Sequence, residues 1–473
     1  MPPLDLSPEN FRQLADHVAD LCTEYLDTLD RRPIFPATNG TESQHLFETD
    51  LPQTGLADRS LTDLGTVLNN SRVQNARFFG YVLGSAEPVA ALGDLLASIL
   101  GQNVTAWRSG PAAVTIERTV IHWLAHAIGC NEFTGSLTGG GSSANLMGLA
   151  MAREAKLPAN DTGLFAATPV VIYASHQVHM SIPKALALLG LGRDNLRLLP
   201  ADADFRMPPA VLEQAIESDK AAGKIPLAVV ASAGTVNTGA IDPIPEISAI
   251  ARQHNLWLHV DGAYGALAAV AQPDRFKGLE FADSISLDPH KWLYQPLDCG
   301  CLLYRDPFVA RKAFSYTGDY ARTLSDDPIE SFAFFEESME LSRRFRALKL
   351  WLSLRYHGLE RFRQAIQLNL DHAQRLASAI GDCADLELLA PVPLSAVCFR
   401  HRLHENAGED ERNRFNASLL KRIQLRGKIY VSNAVIGGRF FLRACIVNHR
   451  TTDSDIDSVV PEVLAAARES ATR

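Results

Sequence analysis

The 473-residue chain carries a net charge of −9, with 45 basic and 54 acidic residues, and 47% of its side chains are hydrophobic. Basic residues scattered through an acidic chain leave no electrostatic footprint for nucleic acid or an anionic membrane, so a small-molecule partner is expected. The length exceeds one ordinary domain and the apolar content fills a substantial core, which predicts one large domain with smaller appendages.

The start, Met1-Pro2-Pro3-Leu4-Asp5, has no basic segment followed by an apolar one, and no later run reaches the roughly 18 apolar residues of a membrane span. A soluble, unexported protein is expected. Seven cysteines, spread from Cys22 to Cys445, form no disulfide framework and suit a reduced cytoplasm. Cys299 and Cys301 are the one close pair and read as buried thiols, since no second Cys/His pair lies near them. The histidines lack HExxH-type spacing, so no metal is expected.

Ser7-Pro8 reads as an N-cap followed by proline at the first helical position. Phe11, Leu14, Val18, Leu21, Tyr25 and Leu29 then recur at helical spacing, with Asp16, Asp20, Glu24 and Asp27 on the other side. Residues 31–64 contain Pro33, Pro36, Gly40, Pro52 and Gly55 with little periodicity, which predicts an extended connector. A lone helix and a long arm have no core of their own. Residues 1–85 are therefore predicted to be an appendage, packed on the main body or on a second subunit.

Helix-compatible segments follow at 89–100 and 114–128. The pattern then changes to short β-branched apolar runs at 170–173, 227–230, 256–260 and 285–287, each separated by helical length. Such runs are buried on both faces, so the fold class is α/β with a mostly parallel central sheet and helices on both sides, spanning 86–364. Ligands of such sheets sit at the carboxyl ends of the strands. Residues 313–338, with Tyr316, Gly318, Tyr320 and Asp326-Asp327-Pro328, lack a period and read as a functional loop. A helix is predicted over 339–356. Strand-like pairs and helices over 365–473 predict a small α+β C-terminal domain.

Four features carry chemistry. Thr138-Gly139-Gly140-Gly141-Ser142-Ser143 opens a helix at 144–153, where free N–H groups, close approach at glycine and serine hydroxyls make a phosphate cradle. His179 follows the strand at 170–173 and could lie flat on a cofactor ring. Asp261 ends the run at 256–260 and could pair with a pyridine nitrogen, while the small Ala263 lets a ring approach the backbone. Lys291, in Asp288-Pro289-His290-Lys291-Trp292, supplies an amine that forms a Schiff base once deprotonated, and His290 is a donor for phosphate or the lysine's surroundings. Each feature alone has an ordinary structural explanation as a turn, a cap or a snorkelling side chain. Their order along about 150 residues, each at a predicted strand end, matches the parts of pyridoxal 5′-phosphate.

The chain resembles the group II pyridoxal-phosphate-dependent amino-acid decarboxylases, the family of aromatic-L-amino-acid decarboxylase, over nearly its full length. The resemblance is carried by Asp288-Pro289-His290-Lys291-Trp292, His259-Val260-Asp261-Gly262-Ala263-Tyr264, Ala233-Gly234-Thr235 with Gly239-Ala240-Ile241-Asp242, and Arg343-Arg344-Phe345-Arg346-Ala347-Leu348-Lys349. Arg77-Phe78-Phe79-Gly80-Tyr81 adds support. It implies a fold-type I enzyme in which Lys291 holds the cofactor, Asp261 pairs with its ring nitrogen and His179 stacks on the ring. Gly141, Ser142, Asp288 and His290 would surround the phosphate, with Thr235 in a cofactor-contacting turn. Tyr320 corresponds to the loop tyrosine that returns a proton to the α-carbon. A homodimer with a crossing N-terminal arm is implied as well.

This chain departs from the family pattern at Asn75-Ala76 (commonly His-Pro), Gly84 (threonine in the aromatic decarboxylase), Thr105 (a pocket phenylalanine) and Val236 (often a second threonine). The expected activity is decarboxylation of an L-amino acid, aromatic by preference. Acidic or short basic substrates, an aldehyde-forming reaction and a non-catalytic binding role are the alternatives.

Overall fold

The computed structural model describes residues 4–164, 169–316 and 326–471. In chain order its strands are β1 (Phe78–Phe79), β2 (Thr134–Thr138), β3 (Val170–Ser175), β4 (Leu196–Leu199), β5 (Ile225–Ser232), β6 (Trp257–Asp261), β7 (Ser284–Leu287), β8 (Gly300–Tyr304), β9 (Leu386–Leu388), β10 (Ala396–His401), β11 (Tyr430–Ile436) and β12 (Arg439–Cys445). Seven of them form one sheet in the order β2-β8-β7-β6-β5-β3-β4. The strands from β7 to β4 pair in parallel, and only β8 runs against its neighbours.

Alternate side chains of these strands enter two different cores. Val171, Tyr173, Val229, Val260, Ile285 and Leu303 pack on one face with the helix Pro111–Ala127. Val170, Ile172, Ala174, Val230, Leu302 and Tyr304 pack on the other with the helix Gly141–Lys156. Two-sided burial explains why the strands read as continuous apolar runs. Truncating a fully buried member such as Ile172 to alanine costs about 2–5 kcal/mol.

Register matters more for the site than for the core. Ser232, Asp261 and Ser286 lie abreast at the carboxyl ends of β5, β6 and β7. Side chains projecting from three strands are thereby brought to one level.

The second sheet, in the order β1-β11-β12-β10-β9, is antiparallel except for β1, which pairs in parallel with β11. Its core is closed by the helices Leu359–Gly381, Glu409–Arg426 and Val459–Ala471. Phe78 stacks on Tyr430 with ring centroids 5.0 Å apart, so the stretch after the N-terminal arm is stitched into the C-terminal sheet. The helix Leu359–Gly381 runs through both bodies. Its Phe362 and Ile366 belong to the large core, and its Ala373, Leu376 and Ile380 to the small one.

The N-terminal helix Pro8–Thr28 begins as expected, with Ser7 Oγ accepting from Asn10 N at 3.1 Å. None of its residues is buried, and Phe11, Val18 and Leu26 are exposed. Residues 31–64, expected as an extended connector, contain the helix Gly40–Phe47 and the start of another, Thr62–Asn70. A capping box between Asn39 and Glu42 starts the first, a signal outweighed in the sequence by nearby prolines. The helix expected over 339–356 spans only Ala347–His357. Arg343, Arg344 and Arg346 instead hold acidic partners on other segments. That helix crosses Pro88–Leu100 closely, and a Cβ on Gly93 would lie 2.8 Å from Lys349 Cα. No helix among the described residues is long and apolar enough to cross a membrane.

Candidate active site

The carboxyl ends of the central strands open onto a cavity of about 320 Å³. Gly141, Ser142, His179, Thr235, Asp261, Ala263, Asp288, His290 and Lys291 all line it. Tyr320 lies outside the described residues.

The glycine loop leaves β2 through a turn held by Thr138, whose Oγ1 accepts from Gly140 N at 3.3 Å. Gly140 has φ of +138°, a conformation that glycine alone adopts freely. A Cβ on Gly141 would come within 2.7 Å of Ala263 Cβ and 2.9 Å of Asp288 Oδ2. The helix Gly141–Lys156 has no side-chain cap at its start. Its first N–H groups therefore remain available to an anion, favoured further by the helix dipole.

Lys291 lies in the short helix Pro289–Trp292, directly after β7. Trp292 anchors this turn in the core and stacks on Tyr264 at 6.0 Å. Lys291 Nζ sits 2.9 Å from Asp288 Oδ2, and His290 Nε2 is 3.6 Å from the same oxygen. The other oxygen of Asp288 is buried without a hydrogen-bond partner. His290 Nδ1 donates to the Cys299 carbonyl at 2.7 Å, and burial lowers the pKa of its ring against the pull of Asp288.

Asp261 is buried and surrounded by neutral donors. It accepts from Asn145 Nδ2 at 3.0 Å, from Ser286 Oγ at 3.2 Å and from Ala263 N at 3.2 Å. No cation pairs with it among the described residues. His179 Nδ1 is held by Ser181 Oγ at 2.8 Å and Ser181 N at 3.2 Å. Burial lowers the His179 pKa, opposed by Asp261 and Asp288, so its ring is neutral at pH 7.

Thr235 belongs to a tight clasp after β5. Its Oγ1 meets Thr238 Oγ1 at 3.0 Å and accepts from Ala240 N at 3.1 Å. Asp242 closes the clasp by accepting from Ser232 N and Met207 N, both at 2.7 Å. The motif Gly239-Ala240-Ile241-Asp242 is thus a fastener for the turn that presents Thr235. Val236 lines the cavity where a second threonine was the family pattern. At Gly84, a Cβ would overlap the Val447 carbonyl and lie 2.9 Å from Asn448 Cα, so this backbone has no room for threonine.

Asn145 also lines the cavity and was not singled out from the sequence. It lies one turn into a helix whose neighbouring residues are core, and a single amide among them gives no local signal. Arg443 was likewise passed over. It is buried, donates to the carbonyls of Asn237 and Tyr81, and keeps one Nη without a partner.

A helix start free for phosphate, a lysine, and a buried carboxylate lacking a cation are the three parts that a phosphorylated pyridinium aldehyde requires. The residues present therefore fit pyridoxal 5′-phosphate. Residues 41–402 match the pyridoxal-dependent decarboxylase conserved domain, and the chain belongs to that family of pyridoxal 5′-phosphate-dependent carboxy-lyases. It is 34% identical to an aromatic-L-amino-acid decarboxylase of Bacillus atrophaeus, across 98% of this chain and 97% of that protein. It is 30% identical to a phenylacetaldehyde synthase of Petunia hybrida, across 93% of this chain and 91% of that one. The solved structure of Oryza sativa TDC with PLP and tryptamine superposes with a TM-score of 0.92 at 27% identity, covering 99% of both chains.

Proposed function

We propose that this chain removes the α-carboxylate of an aromatic L-amino acid, giving the amine and carbon dioxide, and that Lys291, Asp261, His179 and Tyr320 carry the reaction. The observation that carries the reading is Asp261, a buried carboxylate with only neutral donors around it, lining the same cavity as Lys291. Relatives named for aromatic substrates support the choice of amino acid.

Bound pyridoxal 5′-phosphate supplies an electron-poor ring that takes up the pair left on the α-carbon when the Cα–carboxylate bond breaks. Lys291 Nζ is the amine that would hold the cofactor's aldehyde carbon. Asp261 keeps a proton on the ring nitrogen. His179 covers one face of the ring as a neutral imidazole and excludes water there. Gly141, Ser142 and His290 would hold the phosphate, with Asp288 fixing Lys291 and His290, and Thr235 and Ala263 would contact the ring. Tyr320 delivers a proton to Cα, which completes the amine. Retention of a tyrosine at 320 favours the amine over an aldehyde, although relatives of both kinds exist.

The assembly we propose is a homodimer. The unburied helix Pro8–Thr28 and exposed Leu92, Leu95, Leu96 and Ile99 on Pro88–Leu100 leave apolar faces that a second copy covers. Residues 1–85, 86–364 and 365–473 then act as arm, cofactor domain and small domain. Seven free thiols support a cytoplasmic setting.

The deciding experiment incubates the purified holoenzyme with a panel of aromatic, acidic and basic L-amino acids while carbon dioxide, amine and aldehyde are measured. Amine from an aromatic substrate is expected. Turnover confined to acidic or basic ones overturns the substrate assignment. In Lys291→Ala the visible band of the lysine-linked cofactor disappears; an unaltered band removes Lys291 from its role.

A further inference from the structure

Behind Asp261 lies a chain of buried polar groups that the reaction itself does not use. Trp257 Nε1 donates to Ser284 Oγ at 2.9 Å, and Ser284 Oγ lies 2.8 Å from His259 Nδ1. His259 Nε2 is 2.9 Å from Asn145 Oδ1, and Asn145 Nδ2 reaches Asp261 Oδ2 at 3.0 Å. A second bond from the same Asn145 nitrogen goes to Ser181 Oγ at 2.9 Å. His259 is fully buried and Asn145 nearly so.

The Asp261 end of this chain fixes the proton on His259 Nε2. An indole nitrogen only donates, so Ser284 accepts from Trp257, and its hydrogen and second lone pair let it either donate to His259 Nδ1 or accept from it. A carboxylate only accepts, so Asn145 presents its nitrogen to Asp261 and its oxygen to His259 Nε2, which must donate. The Asp261 end thus requires a proton on His259 Nε2, and in the neutral ring this leaves Nδ1 bare to accept from Ser284. Burial favours the same state, holding the His259 pKa down at about 4 against the pull of Asp261. The other groups packed around the ring, Ser284, Trp257, Asn145 and Gly148, do not titrate. Gly148 is tied to this arrangement, since a Cβ there would lie 2.6 Å from His259 Cε1.

We infer that Asn145 is a positioning residue of the cofactor site, oriented by His259, that holds Asp261 in the rotamer facing the cavity as an acceptor-only group. This rests on the reading of Asp261 as the partner of the cofactor's ring nitrogen. Asn145 without His259 could turn its amide over and oppose the carboxylate with its own oxygen. His259 therefore acts on the cofactor only through Asn145.

The test titrates pyridoxal 5′-phosphate into cofactor-free wild type, Asn145→Leu, His259→Phe and the double variant. Borohydride trapping at Lys291 confirms where the cofactor binds. Loss of a hydrogen bond to a charged group predicts that Asn145→Leu raises the dissociation constant by about tenfold or more. His259→Phe raises it less, and the double variant binds no worse than Asn145→Leu alone, the signature of a residue acting through another. Additive losses, or affinity within about twofold of wild type in a folded Asn145→Leu protein, overturn the inference. Because the substitutions risk folding, a second measurement uses the unaltered holoenzyme. Its His259 15N signals should report Nε2–H with a bare Nδ1 from pH 8 to pH 5.5, and a cationic ring or the opposite tautomer overturns the inference. If wild type itself fails to bind the cofactor at Lys291, the reading of the site fails instead.

Discussion

Replacing Glu117 by leucine takes the close counter-ion from a guanidinium in the centre of the large core, leaving only Glu340 Oε2 at 3.9 Å among the described acidic groups. The Arg343 and Glu117 side chains are each only 1% exposed, and Arg343 Nη2 meets Glu117 Oε1 at 2.5 Å. The same arginine donates to the carbonyls of Leu137 and Val104, both at 2.9 Å, and Leu137 N donates to Glu117 Oε1 at 3.0 Å. Leu137 precedes the turn into the glycine loop, so the ion pair fixes the strand that delivers the phosphate cradle. Leaving one buried charge unpaired costs about 3–5 kcal/mol. Glu117→Leu adds about 1–3 kcal/mol for the Leu137 N–H that loses its acceptor. Arg343→Leu leaves that N–H satisfied but takes the donor from the Leu137 and Val104 carbonyls, so it too adds about 1–3 kcal/mol to the first amount. The double variant contains neither charge, so it should lose far less than the two singles together, with a coupling of about 3–5 kcal/mol. Denaturant unfolding of the holoenzyme at fixed protein and cofactor concentration measures this, with two probes required to coincide. Either single variant losing under about 1 kcal/mol, or a cycle additive within about 0.5 kcal/mol, would refute the reasoning.

A Cβ on Gly300 would overlap the backbone of Gly140, whose N and C lie 2.6 and 2.7 Å from that position. Gly300→Ala should displace the loop and weaken cofactor binding by about tenfold or more, about 1.4 kcal/mol; unchanged affinity on titration contradicts this. Burial raises the Asp242 carboxyl to about 6 despite two backbone donors. Its folded value lies above its unfolded one, so the associated stability is full below about pH 4 and lost as pH rises through 6, by about 3 kcal/mol. Asp242→Asn lacks this loss, so its stability deficit against wild type should shrink by that amount between pH 4 and pH 7; a deficit constant with pH contradicts the raised value. In Tyr320→Phe, amine formation should fall and aldehyde appear in air, and an unchanged product ratio removes Tyr320 as the proton donor.

What could be read from the chain divides along physical lines. Strands β3, β5, β6 and β7 were legible because burial on both faces demands runs such as Val170-Val171-Ile172-Tyr173. Strand β2, Thr134-Gly135-Ser136-Leu137-Thr138, has no such run. Pairing with β8 and the Arg343–Glu117 bond hold it in place, a contact across more than two hundred residues that no local window contains. The same bond explains the misplaced helix start at 339. Arginines that look like good helix formers are drawn into ion pairs instead, and the helix waits until Ala347. Lys291 and His179, four residues past β7 and β3, and Asp261, the last residue of β6, drew notice for the opposite reason, since a chargeable residue at the end of an apolar strand breaks the core pattern. Asn145 breaks it too, but inside a helix, where one amide is indistinguishable from an incidental polar residue until Asp261 and His259 are seen on either side of it.

The isolation of Asp261 ties folding to loading. A buried carboxylate is tolerable when a cation or several donors answer it, and here Asn145, Ser286 and Ala263 N supply donors without charge. The fold thus carries one incompletely compensated anion at the level where three strands end. In the proposed site a protonated ring nitrogen would complete it, and a phosphate on the open helix start would offset the helix dipole in the same event. Cofactor binding is consequently coupled to the stability of the native state, because the unfolded chain offers no such pairing. Asn145 sits at the junction of the two halves. Its helix begins at the glycine loop and, within the next turn, delivers the amide that bonds Asp261, so in the proposed site one rigid element would space the two anchors of the cofactor against each other.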